Sequence, residues 1–234
     1  MKPVAIFRHF HTEGPGYFAI ALARSGVPWR LVRLDAGEAV AEDPRAFSGI
    51  AFMGGPMSVN DCLPWTDPVL RLIRAAVQAN VPVIGHCLGG QLMAAALGGD
   101  VKANPVKEIG WGAVTLTDVP LAQRWFGAGL AAFTGFHWHG ETFSIPPGAQ
   151  RVLASPHCAN QAFAFGKHFA MQCHVEMTAE LIETWCRTGA NEIAESAGPA
   201  VQTPAEIERD LDRRLAQLHA IADRIYARWL EGLV

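Results

Sequence analysis

The sequence predicts an α/β protein built on a mostly parallel sheet. Three observations carry this. Short β-branched runs alternate with helical stretches through the first hundred residues. Glycines close several of those segments. Half of the 234 residues are apolar and 18% are charged, enough for a large core and too apolar for disorder.

The elements follow in order. Val4–Phe7 reads as a buried strand, Gly16–Ser25 as a helix ended by Gly26, Trp29–Leu34 as a second strand, and Gly49–Met53 as a third, stopped by Gly54-Gly55-Pro56. Asp67–Ala79 has helical spacing at Val69, Leu70, Ile73 and Val77, with Asp67 as the expected N-cap and Pro68 at the first helical position. Val81–Gly85 is a fourth strand, and Leu88–Leu97 a helix ended by Gly98-Gly99. The middle changes character. Gly112–Thr117, Leu130–Phe136, Arg151–Ser155, Ala162–Phe165 and His168–Cys173 are short, separated by Gly and Pro, and read as antiparallel strands that finish the sheet. Thr178–Thr188 returns to helix, and Asn191–Thr203 reads as an exposed connector. Pro204–Leu233 is expected to be one long helix with apolar positions at Ile207, Leu211, Leu215, Leu218, Ala222, Ile225 and Trp229. That stripe is best used to cover the chain's own core, and its near-heptad stepping leaves a homodimer open.

Composition excludes several classes. Nineteen Lys and Arg stand against 22 Asp and Glu, a net charge of −3, so no basic excess exists to bind nucleic acid. Charges such as Arg24, Asp35, Arg71 and Arg74 interrupt every apolar run, so no membrane helix is expected. The apolar stretch after Lys2 is too short for a signal peptide. Five scattered cysteines without a Cys-x-x-Cys fit neither a disulfide scaffold nor a thiolate zinc site. The expectation is a cytoplasmic protein with reduced thiols.

The most informative stretch is Val81-Pro82-Val83-Ile84-Gly85-His86-Cys87-Leu88-Gly89-Gly90-Gln91. A strand ends, a cysteine sits between glycines, and a helix begins at once, the pattern of a nucleophile elbow with cysteine in place of serine. The helix N-terminus would stabilise a thiolate, and the Leu88 amide is placed to donate to an oxyanion. Cys62, Cys158 and Cys186 have no such context and are read as structural. His86 is expected to point away from the nucleophile.

A cysteine nucleophile needs a base held by a third group. Gln172-Cys173-His174-Val175-Glu176 supplies a histidine and a carboxylate two apart, which share a face on an extended chain, with Cys173 on the opposite face. His9-Phe10-His11 with Glu13 and His137-Trp138-His139 with Glu141 have metal-like spacing. Because nothing in the sequence fixes a third ligand in space, no metal is expected, and these histidines are read as loop residues or ordinary polar contacts. Arg8, His9, His11, Glu13, Trp111 and Trp138 are expected to border the pocket.

Gly85-His86-Cys87-Leu88-Gly89-Gly90-Gln91 resembles the G-x-C-x-G-x-Q motif of class I (triad) glutamine amidotransferases, and Gln172-Cys173-His174-Val175-Glu176 resembles their Q-x-H-P-E motif. Met53-Gly54-Gly55-Pro56 is similar to the glycine-rich turn that completes the family's oxyanion hole. Glu108-Ile109-Gly110-Trp111 and His137-Trp138-His139-Gly140-Glu141-Thr142-Phe143 resemble the branch of the GMP synthase glutaminase domain. The resemblance implies a flavodoxin-like fold with helices on both faces, a glutaminase domain over residues 1–190, and a C-terminal connector and helix (191–234) packed on it. It implies Cys87 as nucleophile, His174 as acid and base, Glu176 as its orienter, and Gly55 and Leu88 as oxyanion donors. Gln91, Gly54, Trp138 and His139 are the implied substrate contacts, and no cofactor is implied. Val175 replaces the usual proline.

The implied reaction is cleavage of a γ-glutamyl amide, of glutamine or of a γ-glutamyl amine or peptide, through a cysteine thioester. Two alternatives stay open: a glutaminase subunit feeding ammonia to a separately encoded synthase, and a non-catalytic binding module.

Overall fold

The structure is a computed structural model that describes residues 1–117, 120–196 and 198–234. Among the described residues, nine strands form one sheet in the order β2-β1-β3-β4-β9-β8-β7-β5-β6. The first five strands in that order, β2 (Trp29–Arg33), β1 (Val4–Arg8), β3 (Gly49–Phe52), β4 (Val83–His86) and β9 (His168–Met171), pair in parallel. From β9 onward the pairs are antiparallel, through β8 (Ala162–Phe165), β7 (Gln150–Ala154), β5 (Val101–Leu116) and β6 (Ala132–Phe143). The parallel half has the flavodoxin-like order, and its carboxyl ends are where such sheets place their sites.

Helices cover both faces because the strands are apolar on both. Val4, Ile6, Ala51, Ile84 and Phe169 pack towards α1 (Gly16–Arg24), α4 (Pro120–Phe126), α5 (Ala179–Thr188) and α8 (Leu211–Leu230). Ala5, Phe7, Ile50, Phe52, Val83 and Ala170 pack towards α2 (Thr66–Gln78) and α3 (Leu88–Ala96). Alternate residues of one strand thus feed two separate cores.

Several sequence expectations need correction. α2 starts at Thr66 with Trp65 at its N-cap, so Asp67 lies in the first turn instead of capping it. There its charge still favours the helix N-terminus. β5 and β6 run much longer than Gly112–Thr117 and Leu130–Phe136, and His137–His139 are strand residues of β6, not loop residues. α4 was not foreseen. The connector over Asn191–Thr203 contains most of α6 (Ala190–Glu195), which buries Ile193, and Val201 bridges to Ile109 on β5; Ala197 of that stretch lies outside the described residues. The C-terminal segment is two helices. α7 (Pro204–Ile207) carries a Thr203–Glu206 capping box, and Asp210 then turns the chain at φ 57° before α8. Aspartate is among the few residues that tolerate that backbone region. The apolar stripe of α8, with Leu215, Leu218, Ile225, Tyr226 and Trp229, is buried in the chain's own core, so the face that left a homodimer open is already covered.

Candidate active site

β4 ends at His86, and Cys87 stands between it and α3 with φ 50° and ψ −109°, a backbone position that costs a non-glycine residue energy. The turn holds because the flanking elements are locked together. A Cβ on Gly85 would lie 2.4 Å from the Gly89 carbonyl oxygen, and one on Gly89 would lie 2.1 Å from the Phe52 carbonyl oxygen. Only glycine allows α3 to approach the sheet this closely. The Cys87 amide donates to the Met171 carbonyl at 2.8 Å, which ties the elbow to β9. Gln172 Nε2 lies 3.4 Å from Cys87 Sγ, and the Trp138 carbonyl faces the same sulfur at 3.9 Å.

His174 and Glu176 follow β9. His174 Nδ1 lies 2.6 Å from Glu176 Oε1, and both residues are buried. Burial disfavours the imidazolium, yet Glu176 and the Cys87 thiol outweigh it, and the His174 pKa is raised well above its ordinary value. Burial likewise disfavours the Glu176 carboxylate, but His174 and His86 pull its pKa down to about 2. The two groups form a buried ion pair. Among the described residues His174 Nε2 has no hydrogen-bond partner, which leaves that nitrogen for a proton transfer at the Cys87 side.

Cys87, His174, Gln91, Gly55, Trp138 and His139 all line one cleft of about 730 Å³, a size that suits a small-molecule ligand. Gln91 Nε2 donates to Gln172 Oε1. Gly54 lies behind the wall, not in it: a Cβ there would meet Glu13 Oε2 at 2.7 Å and His174 Cε1 at 3.4 Å. Leu88 is fully buried beneath the cleft, at the start of α3 where backbone amides lack helical partners. His11 and Glu13 line the cleft as expected. Burial chiefly, with Glu176 adding and His174 opposing, raises the Glu13 pKa to about 8.

Three expected border residues lie elsewhere. Arg8 pairs with Asp35 at 2.9 Å, His9 is buried with Nδ1 at 3.0 Å from the Met53 carbonyl, and Trp111 donates its indole proton to the Ile207 carbonyl under α7. His86 points away from Cys87 as expected, but it is not remote. Its Nε2 lies 3.1 Å from the Tyr226 hydroxyl on α8 and 4.0 Å from Glu176 Oε2. No sequence signal linked residue 226 to this site. Cys173 is buried on the far face, and burial pushes its thiol pKa up. Cys158 and Cys186 are buried and Cys62 is exposed.

The model of the glutamine amidotransferase class I family matches residues 18–185. The chain belongs to this family. A glutamine amidotransferase from Methylobacillus flagellatus superposes with a TM-score of 0.97 at 47% identity, covering 100% of this chain and 96% of that one. The glutamine amidotransferase-like protein YfeJ of Salmonella typhimurium is 33% identical over 71% of this chain and 72% of its own length. The glutamine-hydrolysing GMP synthase of Alkalilimnicola ehrlichii is 30% identical over 88% of this chain, which spans only 39% of that relative. Among the described residues, no helix is long and apolar enough to cross a membrane.

Proposed function

We propose that this class I glutamine amidotransferase is a cysteine-dependent hydrolase of γ-glutamyl amides. The observation that carries the reading is Cys87 held at a strained strand-to-helix turn in one cleft with a buried His174–Glu176 ion pair. In this reading, residues 1–190 are the glutaminase domain and 191–234 a connector and helix packed on it. The five cysteines, all unpaired, fit a reducing cytoplasm.

The Cys87 thiolate attacks the γ-carbonyl carbon, and the amides of Gly55 and Leu88 hold the developing oxyanion, worth about 3–4 kcal/mol per donor. His174 gives its proton to the leaving nitrogen, so the C–N bond breaks and a γ-glutamyl thioester remains. Water then loses a proton to His174, attacks the thioester and releases glutamate, and the thiolate is restored. Glu176 holds the imidazole in the required tautomer. Gln91, the Trp138 carbonyl and the His139 edge shape the pocket for the glutamyl head, with Gly54 setting the approach behind them. The cleft is lined by Asp61, Glu141 and Glu192 against Lys107, which suits a leaving amine that departs as an ammonium ion.

A second reading rests on the GMP synthase relatives, in which the matched region is part of a longer synthase: the chain would hydrolyse glutamine and pass ammonia to a separate synthase. The exposed large apolar residues Met1, Ile20, Trp29 and Val234 do not line the cleft, which favours the self-sufficient hydrolase. The deciding experiment measures glutamate and ammonia release from L-glutamine and a panel of γ-glutamyl amines and peptides. Turnover lost in Cys87→Ala supports the hydrolase. Silence of the wild type on every substrate, with Cys87 unreactive to a glutamine-like electrophile, overturns it. Silence with a reactive Cys87 selects the synthase-dependent reading.

A further inference from the structure

A second buried polar cluster lies beside the cleft, and of its members only His139 also borders the pocket described above. It consists of Glu108 on β5, His137 and His139 on β6, and Gln161 just before β8. All four are at least 95% buried. One ligand atom each from Glu108, His137 and His139 lies within 4.8 Å of the other two. This is the third ligand, fixed in space, that the sequence alone did not supply.

The hydrogen-bond pattern turns acceptors towards one another inside the cluster. His139 Nδ1 lies 3.0 Å from the Glu141 carbonyl, which can only accept, so the ring N–H sits there and a neutral ring turns the Nε2 lone pair inward. That Nε2 lies 3.1 Å from Glu108 Oε2, another acceptor. His137 Nε2 lies against Gly112, and Nδ1 faces the cluster. The donor at the centre is the Gln161 amide, 2.7 Å from Glu108 Oε2 and 3.3 Å from each inward imidazole nitrogen. Ser155 adds one proton to Glu108 from the outside. A lone pair on His139 therefore faces a buried carboxylate with no proton between them. A cation between them would satisfy both groups.

We propose that Glu108, His137 and His139 form a binding site for a divalent transition metal, with zinc the best match. The spacings support the metal. Ligand atoms about 2.0–2.1 Å from a tetrahedral zinc stand about 3.3 Å apart, close to the 3.1 Å between His139 Nε2 and Glu108 Oε2 and to the 3.3 Å from the Gln161 side-chain amide to each imidazole nitrogen. Two imidazoles and a carboxylate are a donor set that zinc favours. The His139 bond to the Glu141 carbonyl is the outer contact that orients a metal-bound histidine. Among the described residues Gln161 Oε1 is buried without a partner, and turning the amide over brings that oxygen to the fourth position. His139 lies in the cleft wall, which gives the ion a way in. Bound there, the ion would cross-link β5 and β6 around Trp138, whose carbonyl faces Cys87. The site would be structural, holding one wall of the cleft.

The test uses tag-free Cys87→Ala protein, which removes the competing thiolate, stripped of metal and titrated with cobalt(II) as a zinc substitute. The expected result is visible absorption of tetrahedral strength that saturates at a single equivalent and is displaced by zinc. The thermal midpoint should rise by about 5–10 °C at a hundredfold excess over Kd. Glu108→Gln and His137→Gln, checked for fold by circular dichroism, should lose both signals. No absorption and no thermal shift, or signals unchanged in both variants, would overturn the proposal. Should neither variant fold, X-ray absorption of the cobalt-loaded parent decides: two imidazole ligands support the site, and their absence refutes it.

Discussion

Replacing Tyr226 by phenylalanine tests whether α8 is part of the active-site scaffold. The ring packs edge-on against Phe18 with centroids 4.9 Å apart, and Tyr226→Phe keeps that contact while deleting the hydroxyl. Burial holds the His86 pKa below its ordinary value, and the Tyr226 hydroxyl is the hydrogen-bond partner of its Nε2 at 3.1 Å. The substitution leaves a fully buried imidazole nitrogen without its partner, which costs about 1–3 kcal/mol. For a chain of this length, that is a fall in Tm of about 2–12 °C. Glu176 stays paired with His174, so kcat should fall by no more than about tenfold. The assay is thermal unfolding with a double-mutant cycle that combines Tyr226→Phe and His86→Phe, in which the two losses should be less than additive. A Tm within about 1 °C of wild type, or strictly additive losses, would refute the argument.

Three further outcomes are expected. Glu176→Gln should lower kcat by about 10⁴ through loss of the correct His174 tautomer, with substrate binding retained in the Cys87→Ala background. Because the Glu176 pKa is depressed to about 2, its stabilisation is present above the ordinary value near 4.5 and lost as pH falls towards 2; the variant should lack that part of the acid-unfolding slope. Glu13→Gln should behave oppositely. With a folded pKa of about 8, Glu13 costs stability progressively as pH rises from about 4.5 to 8, so the variant's thermal advantage should be greater at about pH 9 than at about pH 5. Gly89→Ala would place a methyl 2.1 Å from the Phe52 carbonyl. It should cost about 1–3 kcal/mol in unfolding and reduce turnover out of proportion, since α3 must shift and carry the Leu88 amide with it.

The parallel half of the sheet was legible because each strand is a compact apolar run closed by glycine, and Gly85, Cys87 and Gly89 declare their turn within a few residues. The roles proposed for Cys87 and the His174–Glu176 pair come from local motifs. What was not legible depended on distant partners. β5 is interrupted by Asn104-Pro105 and shifts register between Ala103 and Glu108, so its sixteen residues did not read as one strand. The break at Asp210 interrupts a stripe whose apolar spacing continues across it. Trp111 sits in a motif that resembles a site element, yet its indole is taken up by the Ile207 carbonyl and its ring by Arg214. Glu108 and Gln161 stand 53 positions apart, and only the pairing of the antiparallel strands brings them together.

The strand order also governs when the protein becomes reactive during its synthesis. β9 lies between β4 and β8, so the centre of the sheet stays open until residues near 170 have left the ribosome. Eighty-seven positions separate Cys87 from His174, about 4–17 s of translation at 5–20 residues per second. Through that interval β4 is an unpaired edge and the thiol has no base. Tyr226, later still, seats α8 behind the His86–Glu176 contact. A nascent or truncated chain therefore carries the nucleophile without the means to use it. It also exposes an apolar strand edge prone to pairing with other chains, so premature termination anywhere before residue 168 should yield an aggregation-prone product.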